Sequence, residues 1–126
     1  MIKWNERLSV GNEVMDNIHK EFLLLVNETA KAAPKDFETA FAALILHTKE
    51  HFFYENAQME ICKLASAGEH KAEHEQVLDE MEYFFSKTLQ GRRSFARAYV
   101  SQKLPDWLLQ HTATMDADLS RAINSL

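Results

Sequence analysis

The sequence contains two helical ligand pairs, His51-Phe52-Phe53-Tyr54-Glu55 and His70-Lys71-Ala72-Glu73-His74. In each pair, two side chains that can bind a metal ion stand four positions apart. This spacing places both side chains on one face of an α-helix. Two such faces on antiparallel helices can hold a metal centre between them, provided that the rest of the chain supplies further ligands at the same height.

The composition indicates one domain, residues 1–126, that buries its own core without disulfides. The chain has one cysteine, three glycines and two prolines, and it lacks the alternation and Asn-Gly turns typical of strands. A net charge of −5 without a basic block argues against a nucleic-acid partner. Because no apolar run reaches membrane-spanning length and no signal peptide is evident, we expect a cytoplasmic protein with no membrane partner.

Helical periodicity and helix-ending residues predict the first three helices. Asn12 is the expected N-cap of a first helix that runs to about residue 33 and is ended by Pro34. The second helix is predicted over about residues 36–63 and the third over about residues 69–89. The connections between them are therefore short.

A fourth helical region is predicted to start at Ser94, its expected cap, and to reach the carboxyl end. Pro105 should kink or break it near residue 102 or 103. The inward stripe expected after that point comprises Leu108, His111, Met115 and Leu119, with Asp116 beside it. Residues 1–11 form an extended arm whose Trp4, Leu8 and Val10 can lie over the domain. The sequence thus predicts an all-α fold, an up-down-up-down four-helix bundle with an extended N-terminal arm.

The predicted turns bring the candidate ligands to a common height, because residues equidistant from a turn lie side by side in an antiparallel pair of helices. The midpoint of His19 and His51 is residue 35, at the first turn. The midpoints of Glu55 with His74 and of His74 with His111 also fall in predicted connections. His70 lies one turn from His74, and Asp116 lies roughly 8 Å of rise beyond His111. Seven side chains therefore converge: His19, His51, Glu55, His70, His74, His111 and Asp116.

Each of these residues has an ordinary explanation when it is taken alone. An isolated inward histidine is more often a hydrogen-bonded core residue than a ligand, and an HxxxH pattern arises freely on charged helix faces. Seven polar groups at one buried level, however, would be expensive to desolvate without a shared cation. The convergence therefore favours a metal centre.

The donor set narrows the choice of metal. The cluster contains no cysteine, which argues against structural zinc and iron–sulfur sites, and seven ligands are too many for one four-coordinate zinc. Imidazole suits iron, copper, nickel and zinc, and carboxylates can bridge two ions. Two ferrous ions offset by two carboxylates and one bridging hydroxide would leave a single positive charge. A binuclear iron site is the most economical prediction.

These residues resemble the ligand pattern of the hemerythrin family, and most closely that of the single-domain bacteriohemerythrins. The similarity extends over nearly the whole chain and includes Trp4, Val10-Gly11, Asp16-x-x-His19-Lys20, Asn27, His51-Phe52, Met59, His70-Lys71-Ala72-Glu73-His74 and Trp107-Leu108-x-x-His111. The resemblance implies two iron ions with an oxo or hydroxo bridge, in a four-helix bundle that binds dioxygen reversibly.

The resemblance also implies a division of the ligands. His70, His74 and His111 would fill one iron, while His19 and His51 would leave the other with an open position. Glu55 and Asp116 would bridge the two ions. Phe22, Phe52, Leu108 and Met115 are the expected wall of a dry pocket around the open position.

Several positions depart from the pattern usual in this family, among them four near the candidate ligands. His47 stands where a tyrosine is common, and it is either a core histidine or a proton relay beside the iron ligands. Asn56 stands where a second acidic residue follows Glu55. Thr112 and Thr114 replace apolar residues, and either hydroxyl could face the oxygen site.

The sequence leaves three classes of function open. The first is an oxygen-binding protein, expected to be a monomer, that serves storage, delivery or supply, with an oxidase or redox protein as a candidate partner. The second is a module that senses oxygen, nitric oxide or redox state, although we see no fused output domain. The third is a di-iron enzyme that acts on peroxide or nitric oxide, although no general acid is evident in the pocket unless His47 serves. We expect the first class and no enzymatic activity.

Overall fold

A computed structural model describes residues 2–126, and over these residues the protein is built from helices alone. The first three long helices are α1, Glu13–Lys31, α2, Pro34–Cys62, and α3, Ala67–Leu89. A fourth helical run, α4, extends over residues 93–124. α2 packs on both α1 and α3, and α4 closes the bundle against α1 and α3. The predicted all-α four-helix bundle is confirmed.

Asn12 and Pro34 set the starts of α1 and α2. The Asn12 side chain accepts a hydrogen bond from the backbone N–H of Met15 (3.0 Å), as expected for an N-cap. Pro34, in contrast, does not simply end α1, which stops at Lys31, but begins α2. Proline is well placed at a helix start because its fixed φ fits and its missing N–H would have had no partner there. The predicted end of α1 and the predicted start of α2 therefore each lie two residues later in the chain than the observed ones.

The second and third connections are also tight. α2 ends at Cys62, and the residue that caps it, Lys63, adopts a left-handed conformation (φ 54°). α3 begins two residues earlier than predicted, at Ala67. α3 ends at Leu89 as predicted, and Gly91 follows it with a positive φ of 83°, which favours glycine. The predicted Ser94 cap is wrong. α4 starts at Arg93, and no side chain caps it.

α4 is one continuous helical run that contains two wide turns. Its segments are α-helical over Arg93–Ala98, π-helical over Tyr99–Lys103, α-helical over Leu104–His111, π-helical over Thr112–Asp116 and α-helical over Ala117–Asn124. Pro105 was expected to kink or break the helix near residue 102 or 103; the helical run is not broken, but the wide turn over Tyr99–Lys103 lies at that place. The backbone N–H of Leu104 donates instead to the carbonyl of Tyr99, five residues back. We attribute the continuity to this wide turn, which gives the proline ring room beside the preceding turn.

The apolar core is divided by a polar layer. The larger cluster includes Phe22, Phe41, Leu44, Met81 and Leu104, and a smaller one near the other end of the bundle comprises Met15, Met59 and Leu119. Along α2, the polar residues His51 and Glu55 lie between Leu44 and Met59. The predicted ligand level thus lies inside the bundle, with apolar side chains above and below.

The N-terminal arm lies against the bundle, as predicted. It contains one short 3₁₀ turn, Glu6–Leu8, and its Trp4 and Val10 pack on the two apolar clusters. The Asn27 side chain donates to the carbonyl of Ile2 (2.6 Å) and fixes the start of the arm. Among the described residues, no helix combines the length and apolar character needed to cross a lipid bilayer.

Candidate metal centre

All seven predicted ligands meet in the polar layer, and each is at most 2% exposed. They come from all four helices of the bundle: His19 from α1, His51 and Glu55 from α2, His70 and His74 from α3, His111 and Asp116 from α4. The five histidines all direct Nε2 towards the two carboxylates.

One oxygen of each carboxylate faces the histidines of α1 and α2. Oε2 of Glu55 is 2.6 Å from Nε2 of His51 and 3.3 Å from Nε2 of His19. Oδ2 of Asp116 is 3.0 Å from the same atom of His19. These four residues can offer ligand atoms that all lie within 4.8 Å of one another. They form one group that could hold a cation.

The other oxygen of each carboxylate faces the remaining three histidines. Oε1 of Glu55 lies 3.0 Å from Nε2 of His74. Oδ1 of Asp116 lies 3.1 Å from Nε2 of His70 and 3.2 Å from Nε2 of His111. The second group therefore contains five residues whose ligand atoms also lie within 4.8 Å of one another: Glu55, His70, His74, His111 and Asp116. Both carboxylates therefore belong to both groups, which is the geometry that a pair of bridging carboxylates requires.

The π-helical turn over Thr112–Asp116 explains how Asp116 reaches this position. In a regular α-helix a residue five positions after His111 would point about 140° away from it. A turn closed by bonds between residues five apart instead brings the fifth residue back to nearly the same side. The turn also moves Met115 to a half-buried position and buries Thr112. The prediction that Met115 belongs to the inward stripe was therefore wrong.

The cluster fits a metal better than it fits a set of hydrogen bonds. Nε2 of His74, Oε1 of Glu55 and both oxygens of Asp116 are buried without a hydrogen-bond partner. Nε2 of His70 and Nε2 of His111 are 3.0 Å apart. Adjacent ligands at about 2.1 Å from an octahedral ion stand about 3.0 Å apart. The spacing thus matches neighbouring positions around a six-coordinate ion, and the chemistry of five imidazoles with two carboxylates suits iron.

In the metal-free cluster, the carboxylates and the imidazoles shift each other's pKa values. Burial opposes charge on both carboxylates, but the neighbouring imidazoles hold the pKa of Glu55 well below its usual value and also lower that of Asp116. Burial likewise disfavours charge on His19 and His70, yet the close approach of the two carboxylates raises their pKa values to about 10 and about 9. The carboxylates therefore remain anionic and demand cations, either protons or metal ions.

Two of the three histidines of the second group, His74 and His111, have protein partners on their outer nitrogens. Nδ1 of His74 is 2.9 Å from Oδ1 of Asn56, and Nδ1 of His111 is 2.8 Å from Oε1 of Glu73. The indole N–H of Trp107 donates to the same oxygen of Glu73 (2.9 Å). Since these oxygens accept, both Nδ1 atoms carry the proton and Nε2 is left free to bind a metal.

Aromatic rings hold the same two histidines in place. The Phe52 ring stacks on His74 with 3.9 Å between centroids and an interplanar angle of 5°, and Trp107 stacks on His111 at 4.5 Å. Sequence reasoning had missed the contributions of Glu73 and Trp107. Trp107 lies four residues before His111, so helical spacing would have placed it on the same face.

The other residues that depart from the family pattern, His47, Thr112 and Thr114, differ in how far they are buried. His47 is half-buried, with its ring centroid 6.1 Å from that of His51. Burial and the nearby His51 lower its pKa, so the ring is neutral near pH 7. Thr114 is exposed and its hydroxyl donates to the carbonyl of Gln110. Thr112 is buried beside the cluster.

Comparisons with known proteins agree with this geometry. The family model described as the Hemerythrin HHE cation binding domain matches residues 10–123. A bacteriohemerythrin of Ralstonia nicotianae is 35% identical over 116 residues, which cover 92% of this chain and 84% of that protein. A hemerythrin of Siphonosoma cumanense is 30% identical, covering 90% and 86% of the two chains, and a myohemerythrin of Sipunculus nudus is 28% identical with the same coverage.

Proposed function

The chain belongs to the hemerythrin family, and on that premise we propose that it binds dioxygen reversibly at a di-iron centre in its polar layer. The observation that carries the proposal is the placement of Glu55 and Asp116, each of which offers one oxygen to either group of histidines. A pair of carboxylates shared in this way holds two ions close together.

The two ions would have unequal surroundings. His70, His74 and His111 would hold one iron, and His19 and His51 would hold the other, with both carboxylates common to the two. When bound, the iron pair supplies the two electrons that dioxygen takes up on binding and returns on release. The side with two histidines receives one protein ligand fewer, so the protein leaves room for dioxygen there.

The protein's own contribution is to cover the His51 part of that side with apolar side chains. The rings of Phe22 and Phe52 pack on His51, with centroids 5.6 Å and 5.1 Å away. Both rings, together with Leu108, are at most 4% exposed. Exclusion of water limits proton access to the bound ligand, and so it favours release of dioxygen over irreversible oxidation of the iron.

We further propose that the protein binds dioxygen rather than catalysing a reaction. A catalyst acting on peroxide would profit from a proton donor near the open side. His47 lies one turn before His51 on α2 and is the candidate donor, and its lowered pKa keeps it neutral near pH 7. We also propose a monomeric, single-domain cytoplasmic protein, with an oxidase or redox protein as its partner.

Iron stoichiometry and cycles of oxygenation test the proposal. The purified protein should contain two irons per chain, and its reduced form should develop visible absorption in air that disappears under vacuum. His51→Ala should lose iron, whereas His47→Gln, one turn away on the same helix, should retain two irons. Irreversible oxidation within a single exposure to air would contradict reversible binding and favour an enzyme. One iron per chain, or loss of iron in His47→Gln, would contradict the ligand assignment.

A further inference from the structure

A small cavity lies between the N-terminal arm, α1 and α4, beside the two-histidine side of the centre. Its volume is ≈ 10 Å³, about the space that one water molecule needs. Leu8, Leu23 and Leu108 form apolar parts of its wall. The polar residues that line it are Trp4, His19 and Thr112.

These same three residues carry buried polar atoms without a partner. The atoms are Nε1 of Trp4, Nδ1 of His19 and Oγ1 of Thr112. His19 and Thr112 are 2% and 4% exposed, so bulk water does not satisfy them. A buried polar group that has no partner costs free energy, and several around one cavity indicate a shared hydrogen-bonding guest.

The behaviour of the other buried threonines makes Thr112 distinctive. Thr29, Thr48 and Thr88 each donate their hydroxyl to the backbone carbonyl four residues earlier. Thr112 is the one buried threonine among the described residues whose hydroxyl makes no such bond. It begins the wide turn of α4, and its hydroxyl therefore remains available to a molecule in the cavity.

We propose that the cavity binds a single structural water molecule that joins Trp4, His19 and Thr112. The water accepts hydrogen bonds from the indole N–H of Trp4 and from Nδ1–H of His19, and it donates one to the Thr112 hydroxyl oxygen. Three hydrogen bonds are typical of a buried water. Each of the three groups thus has a partner. The two N–H donors use the two acceptor sites of the water oxygen, one each.

The water positions His19 as Asn56 positions His74 and as Glu73 positions His111. By accepting from Nδ1–H, it fixes the tautomer that presents the Nε2 lone pair to the cluster, and it holds the ring against rotation. It also connects the N-terminal arm to the side of the centre where dioxygen would bind. The role assigned to the Nε2 atom depends on the proposed iron site, whereas the water site itself depends only on the cavity and its three polar groups.

Thermal unfolding of matched variants tests the water. Thr112→Val keeps the shape of the side chain and removes the hydroxyl, and Trp4→Phe removes the indole N–H. If both groups bind one water, each variant lowers the melting temperature, and the double variant loses less than the two shifts together. Thr88→Val, with the same 4% exposure but a carbonyl partner of its own, is the control and should not couple to Trp4→Phe. A dry cavity predicts the opposite sign, because Thr112→Val would then remove an unsatisfied hydroxyl and raise the melting temperature.

Crystal structures and proton exchange complete the test. Density for one water within hydrogen-bond distance of all three groups is expected, and a well-ordered cavity without such density would overturn the proposal. In the iron-loaded protein, the Nδ1–H resonance of His19 should exchange faster with solvent in Thr112→Val than in Thr88→Val. Unchanged exchange would overturn the positioning role.

The two proposals can fail separately. If the water and the coupling are present in a protein that binds no iron, the proposed function alone fails. If two irons bind and the cavity is dry, the water alone fails.

Discussion

Replacement of Glu55 by glutamine is the most direct test of the bridging geometry. The substitution keeps the size of a side chain that is 0% exposed and changes one oxygen into an amide nitrogen. Oε2 of Glu55 is 2.6 Å from Nε2 of His51, and Oε1 is 3.0 Å from Nε2 of His74. An amide NH₂ cannot bind a cation, so one of the two groups must lose its ligand from this residue.

The magnitude follows from the burial and charge of the site. With two irons bound, loss of one carboxylate raises the net charge of the buried centre by one, and we expect iron to fall from two per chain towards one or none. Without metal, the protonated His19 and His70 lose a buried counter-charge, which costs about 3–5 kcal/mol. For a chain of 126 residues this corresponds to about 10–20 °C in melting temperature.

Iron analysis of Glu55→Gln and calorimetry of its metal-free form would measure both effects. Glu50→Gln is the matched control, because it makes the same change on the same helix at an exposed position. The control should retain two irons and the native melting temperature. If Glu55→Gln still held two irons with an unchanged spectrum, Glu55 would not bridge the ions and the argument from shared oxygens would be wrong.

Three further perturbations probe other parts of the site. Glu73→Gln weakens the acceptor for Nδ1–H of His111, so we expect iron affinity to fall about 10- to 100-fold, measured by competition with a chelator. Because the pKa values of His19 and His70 are raised from 6.5 to about 10 and about 9, their stabilisation of the metal-free protein is complete below pH 6.5 and is lost as pH rises through 9 to 10. Urea unfolding of the metal-free protein should therefore show stability falling between pH 7 and pH 10, and a flat profile would contradict the ion pairing. Phe52→Ala opens a cavity beside the histidines and should cost about 3–5 kcal/mol and shorten the lifetime of the oxygenated form, measured optically; an unchanged lifetime would argue against its role in excluding water.

The common height of the histidines could be predicted from sequence because it depends on few quantities. Rise per residue is nearly constant in a helix, and a short connection fixes where two antiparallel helices are level. The connection between α1 and α2 is only two residues long, Ala32 and Ala33. Both predicted helix ends lie two residues later in the chain than the observed ends, so the error moved the turn without changing its length. The midpoint rule nevertheless placed His19 beside His51, and the two ring centroids are 5.1 Å apart.

The ends themselves could not be predicted as well, because several residues compete for each capping position. Pro34 can follow one helix or start the next, and only the packing of both helices selects the second outcome. Ser94 is a good N-cap by its chemistry, but the tight turn through Gly91 already places Arg93 in helical geometry. Preferences at caps amount to about 1 kcal/mol, which is small compared with the burial that the helices gain by extending.

The position of Asp116 marks the limit of reasoning from regular helices. A spacing of five residues from His111 is wrong for a shared face in an α-helix, and only a wide turn brings the carboxylate within 3.2 Å of that histidine. Such a turn gives up regular backbone bonding, so it needs compensation from side chains. Asp116 meets Nε2 of both His19 and His70, and these contacts stabilise the turn only when cations balance the carboxylate. The geometry of α4 and the demand for metal are therefore coupled: the wide turn that seems costly in the backbone is what lets one carboxylate serve both groups of histidines.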